Sequence, residues 1–246
     1  MVRGLRRNGC EVAESAPEIA VGNDSGGSAG WVGTLKATLP RGVYELSELL
    51  YSLVAYIRLA RKIKEFKPVG IYERYNLYLL AGVWAKRRFG LPLILEVNAP
   101  MAQERRKYGG LSWPTLADWV ERYVWCNADI VVPVTRVLAD YAVSVGVQSH
   151  RIVVIPNGID LDNYQDLPSQ DEAKHRLGLS GKTIIGFTGF VREWDRLDRV
   201  VRWLATARDG AGKDAHLLVI GDGRERATVE ECARACGVQE RVTFHG

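Results

Sequence analysis

Short, uninterrupted apolar runs recur along the chain, and each ends in glycine or in an Asn-Gly turn. Three of them read R-I-V-V-I-P-N-G from Arg151, K-T-I-I-G-F-T-G-F from Lys182 and H-L-L-V-I-G-D-G from His216. Such runs are typical of strands that are buried on both faces of a parallel sheet. Glycine at a strand end lets a ligand approach the backbone closely. The pattern therefore predicts a nucleotide-binding crevice.

Amphipathic stretches with helical spacing alternate with the apolar runs. They predict helices over Tyr44–Phe66, about Leu77–Phe89, Pro114–Asn127 and Arg136–Val145. Regular alternation of strand and helix indicates right-handed crossovers and parallel, doubly wound sheets. The polar stretch 160–169 looks like a linker between two such sheets. We therefore predict the α/β class with two Rossmann-like domains, over residues 1–160 and 161–246.

Composition limits the classes of function. The 246 residues are 47% hydrophobic and 25% charged, as expected for a soluble α/β protein. The net charge of +4 is mildly basic and forms no clustered stripe, so acidic ligands are favoured and nucleic acid is not implied. The four cysteines lack metal-binding spacing, and Asp160-x-Asp162 is interpreted as linker chemistry. No metal site is predicted.

Targeting signals are weak. Met1–Cys10 is basic without an apolar core, and the longest apolar candidate, Leu49–Ile57, is far shorter than a membrane span. We therefore expect a cytoplasmic protein. The basic end of the Tyr44–Phe66 helix, together with Lys86–Arg88, can touch anionic lipid at the inner face of a membrane. A solvated basic face is the alternative.

Ligands of open parallel sheets bind beyond the carboxyl ends of the strands. Applied to each predicted strand, this rule selects a set of polar, aromatic and glycine residues that we expect to converge on one cleft between the domains. The set comprises Glu73, Arg74, Tyr75, Asn98, Pro100, Thr135, Asn157, Gly158, Gly189, Arg192, Gly221, Asp222 and Gly223.

The order of several motifs resembles the retaining glycosyltransferases of family 4, which use nucleotide sugars and have the GT-B fold of two Rossmann domains. The strongest part is A-D-I-V-V-P-V-T followed by R-I-V-V-I-P-N-G-I-D. Also similar are I-Y-E-R-Y, L-E-V-N-A-P, F-T-G-F-V-R-E-W, and V-I-G-D-G with R-V-T-F-H-G. The resemblance covers nearly the whole chain.

The resemblance implies roles for particular residues. The loop from Gly189 to Arg196 is expected to hold the donor diphosphate, because a helix N-terminus with a guanidinium forms an anion site. The basic residue and glycine usual after the tryptophan are here Asp195 and Arg196, and Asp195 is expected to cap the following helix. The implied donor-binding set is Gly189, Arg192, Trp194, Arg196, Gly221 and Gly223. A core position is the alternative for Trp194.

The first domain is implied to bind the acceptor. Asn98 is expected near the transferred sugar as the catalytic residue, and Arg74, Tyr75 and Glu104 are expected to contact the acceptor. Asn157 and Gly158 are expected to form the hinge. The alternatives are a self-stabilised turn at Asn98, a Glu73–Arg74 pair, and a solvated charge at Glu104.

The implied function is transfer of a sugar from a nucleotide-sugar donor to a glycan or lipid-linked acceptor, without a further cofactor. The family's first glycine-rich loop is expected before Met1 and its pair of glutamates after Gly246. The chain thus resembles a fragment truncated at both ends, with an incomplete second domain and no activity of its own. A non-catalytic nucleotide-binding module and a GT-B nucleotide-sugar epimerase are the alternative functions.

Overall fold

The computed structural model of the chain describes residues 2–15, 40–207 and 209–245. They divide into two compact units, Met1–Ile159 and Asp160–Gly246. The first unit contains helices α1 (Val2–Arg7), α2 (Arg41–Phe66), α3 (Ala81–Phe89), α4 (Met101–Glu104), α5 (Pro114–Asn127) and α6 (Arg136–Val145), and strands β1 (Ile71–Arg74), β2 (Leu93–Val97) and β3 (Ile130–Pro133). The second contains α7 (Gln170–Arg176), β4 (Thr183–Thr188), α8 (Leu197–Thr206), β5 (Ala215–Ile220), α9 (Arg226–Ala235) and β6 (Val242–His245).

The first unit is built on a parallel sheet with strand order β1-β2-β3. The central strand β2 buries Leu93, Leu95 and Val97 completely on one face, whereas Ile94 on the opposite face is 37% exposed. Trp125 of α5 is also fully buried and makes edge-to-face contact with Tyr75 at 5.4 Å between ring centroids. The apolar runs of this unit therefore form its core.

Helix α3 begins at Ala81, four residues after the predicted start at Leu77. The reason is Tyr78, whose φ of 66° lies in the left-handed region and cannot continue a helix. Ser52 of α2 fixes this turn, because its hydroxyl donates to the Tyr78 carbonyl and accepts from the Leu80 N–H at 3.0 Å. The predicted bounds of α5 and α6 agree with the structure.

The run that starts at Arg151 was predicted as a buried strand, and this prediction is wrong. Ile152 forms an isolated parallel bridge with Val131, and the N–H groups of Val153 and Ile155 donate to carbonyls of β3. The side chains from Val153 to Ile155 are nevertheless exposed. The segment has one described strand neighbour, so its apolar residues are not enclosed within this unit.

The second unit is built on a parallel sheet with strand order β4-β5-β6. The first five residues of β5 are buried, whereas β4 and β6 are half-buried or exposed at every position because each has one described strand neighbour. Burial on both faces was therefore predicted correctly for β5 and wrongly for β4. Helices α8 and α9 supply the rest of the core.

No described helix has the length and apolar character that crossing a membrane requires.

One side chain, Arg241, joins several elements of the second unit. Its guanidinium donates to the carbonyl oxygens of Leu204 at 2.6 Å, Ala207 at 3.3 Å, Ala215 at 3.2 Å and Gly212. The first two of these carbonyls lie at the C-terminal end of α8, where carbonyls lack partners within the helix. Arg241 therefore fixes the end of α8 to the start of β5.

We expect Arg241→Met to destabilise the second unit by about 2–4 kcal/mol, because several partly buried backbone carbonyls lose a charged donor at once. Hydrogen exchange measured by mass spectrometry would show faster exchange in α8 and β5. Arg234→Met, which removes an exposed arginine from α9, is the matched control. Equal protection in both variants would contradict the assigned role.

Candidate functional site

The loops that follow β4 and β5 lie side by side in the second unit. The N–H of Gly189 donates to the Ile220 carbonyl at 3.0 Å, and the N–H of Val191 donates to the Asp222 carbonyl at 2.8 Å. The Gly221 N–H donates in turn to His245 of β6 at 2.9 Å. Parallel pairing thus continues past the ends of the strands and holds both loops at the carboxyl edge of the sheet.

Gly221 and Gly223 are required for this close approach. A Cβ atom at Gly221 would overlap the carbonyl oxygen of Gly189, and one at Gly223 would overlap the backbone of Val191. Gly221 also has a φ of 129°, which side-chain-bearing residues rarely adopt. The immediate reason for glycine at both positions is the neighbouring loop. Their contact with a donor stays a prediction.

Arg192 and two aromatic rings form the exposed part of the first loop. The guanidinium carbon of Arg192 lies 5.6 Å from the ring centroid of Phe190 and 5.1 Å from that of Trp194, distances typical of cation–π contact. Trp194 is 45% exposed, so within its own unit it is not a core residue. The predicted donor-binding side chains Arg192 and Trp194 are thus adjacent.

Arg196 has a different environment from Arg192. Its Nε and Nη2 atoms donate to the two carboxylate oxygens of Asp198 at 3.0 and 3.1 Å. Hydrogen bonding from Arg196 lowers the pKa of Asp198 below its ordinary value. Arg196 also has a φ of 50°, in the left-handed region, at the position where the resemblance leads us to expect glycine.

Asp195 does not cap helix α8 as expected. Its carboxylate accepts from the backbone N–H of Arg192 at 2.8 Å and so closes the short 3₁₀ turn Glu193–Asp195. This bond orders the loop that carries Arg192. Helix α8 follows directly at Leu197, and its N-cap residue Arg196 makes no side-chain hydrogen bond to the backbone at the end of the helix.

In the first unit, a polar network lies at the carboxyl edge of β1 and β2. Asn98 donates to Oε1 of Glu96 at 2.7 Å, and the Tyr72 hydroxyl donates to Oε2 at 2.7 Å. The exposed Arg74 places its Nε 3.9 Å from the same carboxylate. Asn98 and Arg74, two of the predicted site residues, are therefore brought together by Glu96, which sequence reasoning missed.

The charge of Glu96 follows from these partners. Burial acts to raise its pKa, but the hydrogen bonds from Asn98 and Tyr72 and the charge of Arg74 together lower the pKa below its ordinary value. Glu96 is thus an anion at neutral pH. Glu96 lies two residues before Asn98 in L-E-V-N, and this spacing was the sequence signal from which it could have been found.

The structure places Tyr75 in the core instead of at the accessible edge. Its side chain is buried, and its hydroxyl donates to Oε2 of Glu121 at 3.2 Å. Burial, followed by the charge of Glu121, raises the pKa of Tyr75. A direct contact of this hydroxyl with an acceptor would require it to leave a buried partner.

The other predicted residues of the first unit lie apart from that network. Glu104 ends α4 with an exposed side chain, and its neighbour Arg105 pairs with Glu48. Asn157 and Gly158 are exposed, without regular structure, and directly precede the boundary between the units at Ile159. Their roles as acceptor contact and hinge stay predictions.

Glu73 and Arg74 do not pair with each other, because successive residues of a strand point to opposite faces. Glu73 instead meets the first turn of α3, where the Gly82 N–H is its hydrogen-bond donor. Its Oε1 atom is buried without a partner among the described residues. Desolvation by burial raises the pKa of Glu73 to about 7.

Across the described ranges, no group of three or more His, Cys, Asp or Glu side chains is arranged to hold a metal ion.

Comparison with known proteins establishes the family. The model of the family described as "Glycosyl transferase 4-like domain" matches residues 1–158, more than half of the chain. The chain belongs to the glycosyl transferase 4-like family. The predicted resemblance to family 4 glycosyltransferases is thereby confirmed.

Two curated relatives illustrate the extent of the match. The 2-deoxystreptamine glucosyltransferase of Streptomyces kanamyceticus is 31% identical over 175 residues, which are 68% of this chain and 45% of the relative. The GDP-mannose-dependent alpha-mannosyltransferase of Mycobacterium tuberculosis is 23% identical over 228 residues, covering 92% of this chain and 58% of the relative. The chain therefore spans about half the length of the curated relatives it matches.

Among solved structures, Anabaena HepE in complex with UDP-glucose aligns with a TM-score of 0.60 and 18% identity. The alignment covers 78% of this chain and 51% of HepE. At this identity the likeness establishes the fold alone. It confirms the predicted α/β class with parallel sheets of the GT-B type.

We expect Gly221→Ala to destabilise the second unit of this glycosyl transferase 4-like chain by about 3 kcal/mol or more, because the added Cβ combines a disfavoured φ with backbone overlap. Thermal unfolding would report the loss. Gly186→Ala in β4 is the control, since nothing lies within 4 Å of its Cβ position. Equal melting of the two variants would show that the loops are not held together as described.

The raised pKa of Glu73 predicts that the stability of the first unit depends on pH. Below about pH 4.5 its carboxyl is protonated in both folded and unfolded chains, and between 4.5 and 7 the unfolded chain loses the proton first. The free energy of unfolding therefore falls as pH rises from about 4.5 through 7, where the folded chain also loses the proton. We expect Glu73→Gln to exceed the native chain in stability by about 2–3 kcal/mol at pH 8 and to match it near pH 4.5.

Urea unfolding at several pH values would measure this difference. Glu104→Gln, which changes an exposed carboxyl of the same unit, should follow the native pH dependence. A Glu73→Gln profile parallel to the native one would contradict the assigned burial.

Proposed function

We propose that the protein transfers a sugar from a nucleotide-sugar donor to an acceptor, with the second unit binding the donor and the first unit binding the acceptor. The observation that carries the proposal is the loop after β4, which presents Arg192 between Phe190 and Trp194 just before α8. Membership of the glycosyl transferase 4-like family supports it.

The donor loop combines two features that suit a diphosphate. The amino end of α8 presents the backbone N–H groups of its first turn, of which that of Arg199 already donates to the Asp198 carboxylate. Arg192 adds a cation whose described neighbours are aromatic rings instead of carboxylates. We assign diphosphate binding chiefly to Arg192, because Arg196 already forms a two-pronged pair with Asp198.

The aromatic rings extend the same site. Trp194 and Phe190 are both partly exposed beside the guanidinium, so their faces are accessible to a flat ring or an apolar sugar face. Gly189, Gly221 and Gly223 keep the floor of the loops free of side chains. We propose that the nucleotide lies along this floor.

The acceptor site is proposed at the network of Glu96, Asn98 and Arg74. The Asn98 amide is fixed by Glu96, and its carbonyl oxygen has no donor among the described residues, so it suits a sugar hydroxyl. Arg74 supplies an exposed cation at the same edge. Glu104 and the buried Tyr75 are also included in the proposed acceptor region, although neither side chain is hydrogen-bonded to Glu96, Asn98 or Arg74 among the described residues.

Catalysis in this proposal depends on positioning and on stabilisation of the departing diphosphate. The charge that develops on the leaving group would be met by the amino end of α8 and by Arg192. Retention of configuration and transfer of a hexose are part of the proposal. So are a glycan or lipid-linked acceptor, cytoplasmic location and peripheral contact with the inner face of a membrane.

The alternative functions differ in measurable outcome. A nucleotide-binding module would bind a donor without turnover, and an epimerase would isomerise the donor. The names of the relatives favour transfer, because both relatives described above are glycosyltransferases. Because the chain spans about half their length, we assign turnover to the whole protein and expect donor binding from this chain.

We expect UDP-glucose or GDP-mannose to bind this chain, and Arg192→Met to weaken that binding about tenfold to hundredfold through loss of a charge-assisted hydrogen bond. Isothermal titration calorimetry would measure the dissociation constants. Arg234→Met, at an exposed arginine near the end of α9, is the matched control and should bind normally.

The donor assignment would be overturned if the folded chain bound neither nucleotide sugar. It would also be overturned if the Arg192→Met variant bound the donor as tightly as the native chain. In the whole protein, incubation of the bound donor with candidate acceptors separates the functions. Sugar transfer supports the proposal, binding alone supports the module, and an isomerised donor supports the epimerase.

A further inference from the structure

Helix α2 has two apolar faces, and only one of them packs against the core. The inward face consists of residues that are buried or packed on the core cluster at alternating spacings of four and three, namely Glu45, Leu49, Ser52, Tyr56, Leu59 and Ile63. A helix at the surface of a globular unit normally presents polar side chains on the opposite face. Here it does not.

The outward face is a second apolar stripe at the same helical spacing. It consists of Val43, Leu46, Leu50, Leu53 and Ile57, with Val54 beside them, and these side chains are 42% to 64% exposed. The acidic residues of these turns are not on this face, because Glu45 is buried and Glu48 pairs with Arg105. Four consecutive turns therefore expose an uncharged, apolar ridge.

The stripe continues into cations. Four residues after Ile57 comes Arg61, and three residues later comes Lys64, so both follow the same line along the helix. Arg58 and Lys62 lie about 100° further round the helix. Glu65, the acid of this segment, lies 3.6 Å from Lys62.

A tryptophan borders the apolar end of the stripe. The Trp113 ring packs beside Gly42 and is 56% exposed, and its backbone N–H donates to buried Glu45 at 3.2 Å. Exposed tryptophans with one fixed side are frequent at membrane–water interfaces. The ridge, its cationic end and this ring form one surface, which we call the α2 face.

We infer that the α2 face binds an anionic lipid surface, with the apolar stripe inserted among the acyl chains and Arg61 and Lys64 paired with lipid phosphates. Exposed apolar area in line with cations is the combination that holds interfacial helices to anionic membranes. The proposed function includes contact with a membrane, and the inference assigns that contact to the α2 face. Only in this assignment does the inference rest on the proposed function.

A second copy of the chain fits this surface less well. If two α2 helices packed antiparallel, Arg61 and Lys64 would face a partner stripe that contains no carboxylate. If they packed parallel, like charges would meet. Lipid phosphates supply the missing negative charge in a plane that the whole helix can reach.

Two cations of the basic cluster Lys86–Arg88 in α3, which the sequence suggested as part of the same contact, are paired within the first unit, whereas Arg88 is exposed beside the Phe89 ring. Lys86 donates to Asp129 at 2.6 Å and to the Asn127 carbonyl at 2.9 Å. Arg87 donates to Asn127 and to the Tyr123 hydroxyl, both at 2.8 Å. Among the described residues, we therefore assign the inferred contact to the α2 face and not to Lys86 and Arg87 of α3.

Vesicle co-sedimentation of the full chain, without donor or acceptor, tests the inference. We expect binding to phosphatidylcholine vesicles that contain phosphatidylglycerol, weaker binding as salt is raised, and little binding to phosphatidylcholine alone. Arg61→Gln with Lys64→Gln should lower the partition coefficient about fivefold for each cation lost. Leu50→Gln with Leu53→Gln should lower it about tenfold or more.

The controls change equivalent residues elsewhere. Val137→Gln with Val143→Gln removes two exposed apolar side chains from α6, and Arg199→Gln with Arg234→Gln removes two exposed cations from the second unit. Both should bind vesicles like the native chain. Circular dichroism would verify folding, and Leu53→Gln alone serves if the double variant of α2 does not fold.

Three results would overturn the inference. The first is that the folded chain does not bind vesicles that contain phosphatidylglycerol. The second is that the α6 control loses as much vesicle binding as the α2 variants. The third is that the chain forms a dimer in solution that Leu50→Gln with Leu53→Gln dissociates, while the native chain does not bind vesicles. Chain that binds a nucleotide sugar but no vesicle would leave the proposed transfer intact. Chain that binds vesicles but no nucleotide sugar would refute the donor site and retain the α2 face.

Discussion

The buried carboxylate of Glu121 is the interaction on which the first unit depends. The residue is 1% exposed, and it accepts from the Ala102 N–H, the Tyr75 hydroxyl and the Tyr141 hydroxyl. A carboxylate is tolerated in such a place only when donors replace its water. Because these donors belong to the start of α4, the end of β1 and the middle of α6, satisfying one side chain fixes three elements at once.

Sequence patterns predicted the elements whose boundaries are local. Helix α6 begins where Thr135 caps it and ends at Gly146 in the left-handed region, and both signals can be read within a few residues. The late start of α3 could not be predicted in this way, because the Ser52 hydroxyl that stabilises the turn at Tyr78 lies 26 residues earlier. The run from Arg151 was misread because burial depends on neighbours that periodicity does not report.

The strand-end rule selected candidate site residues without indicating what they contact. The strand-end rule selected Gly221 and Asn98, yet the structure gives the first a backbone neighbour and the second a carboxylate partner that the sequence did not specify. Adjacency in the sequence also did not indicate an ion pair, because Glu73 and Arg74 lie on opposite faces of β1. Position along a strand can be read from sequence, whereas the identity of a contact depends on which strands are neighbours and in what register.

The aromatic pair around Arg192 changes the thermodynamics of any anion that meets it. A free arginine side chain carries about 2 kcal/mol of rotamer entropy, which is lost when a ligand immobilises it. Because the Arg192 guanidinium already contacts the rings of Phe190 and Trp194, part of that entropy is lost before a ligand binds. Binding would consequently be less opposed by entropy, and a lysine of equal charge would not reproduce this, because its ammonium lacks the flat guanidinium that stacks on rings.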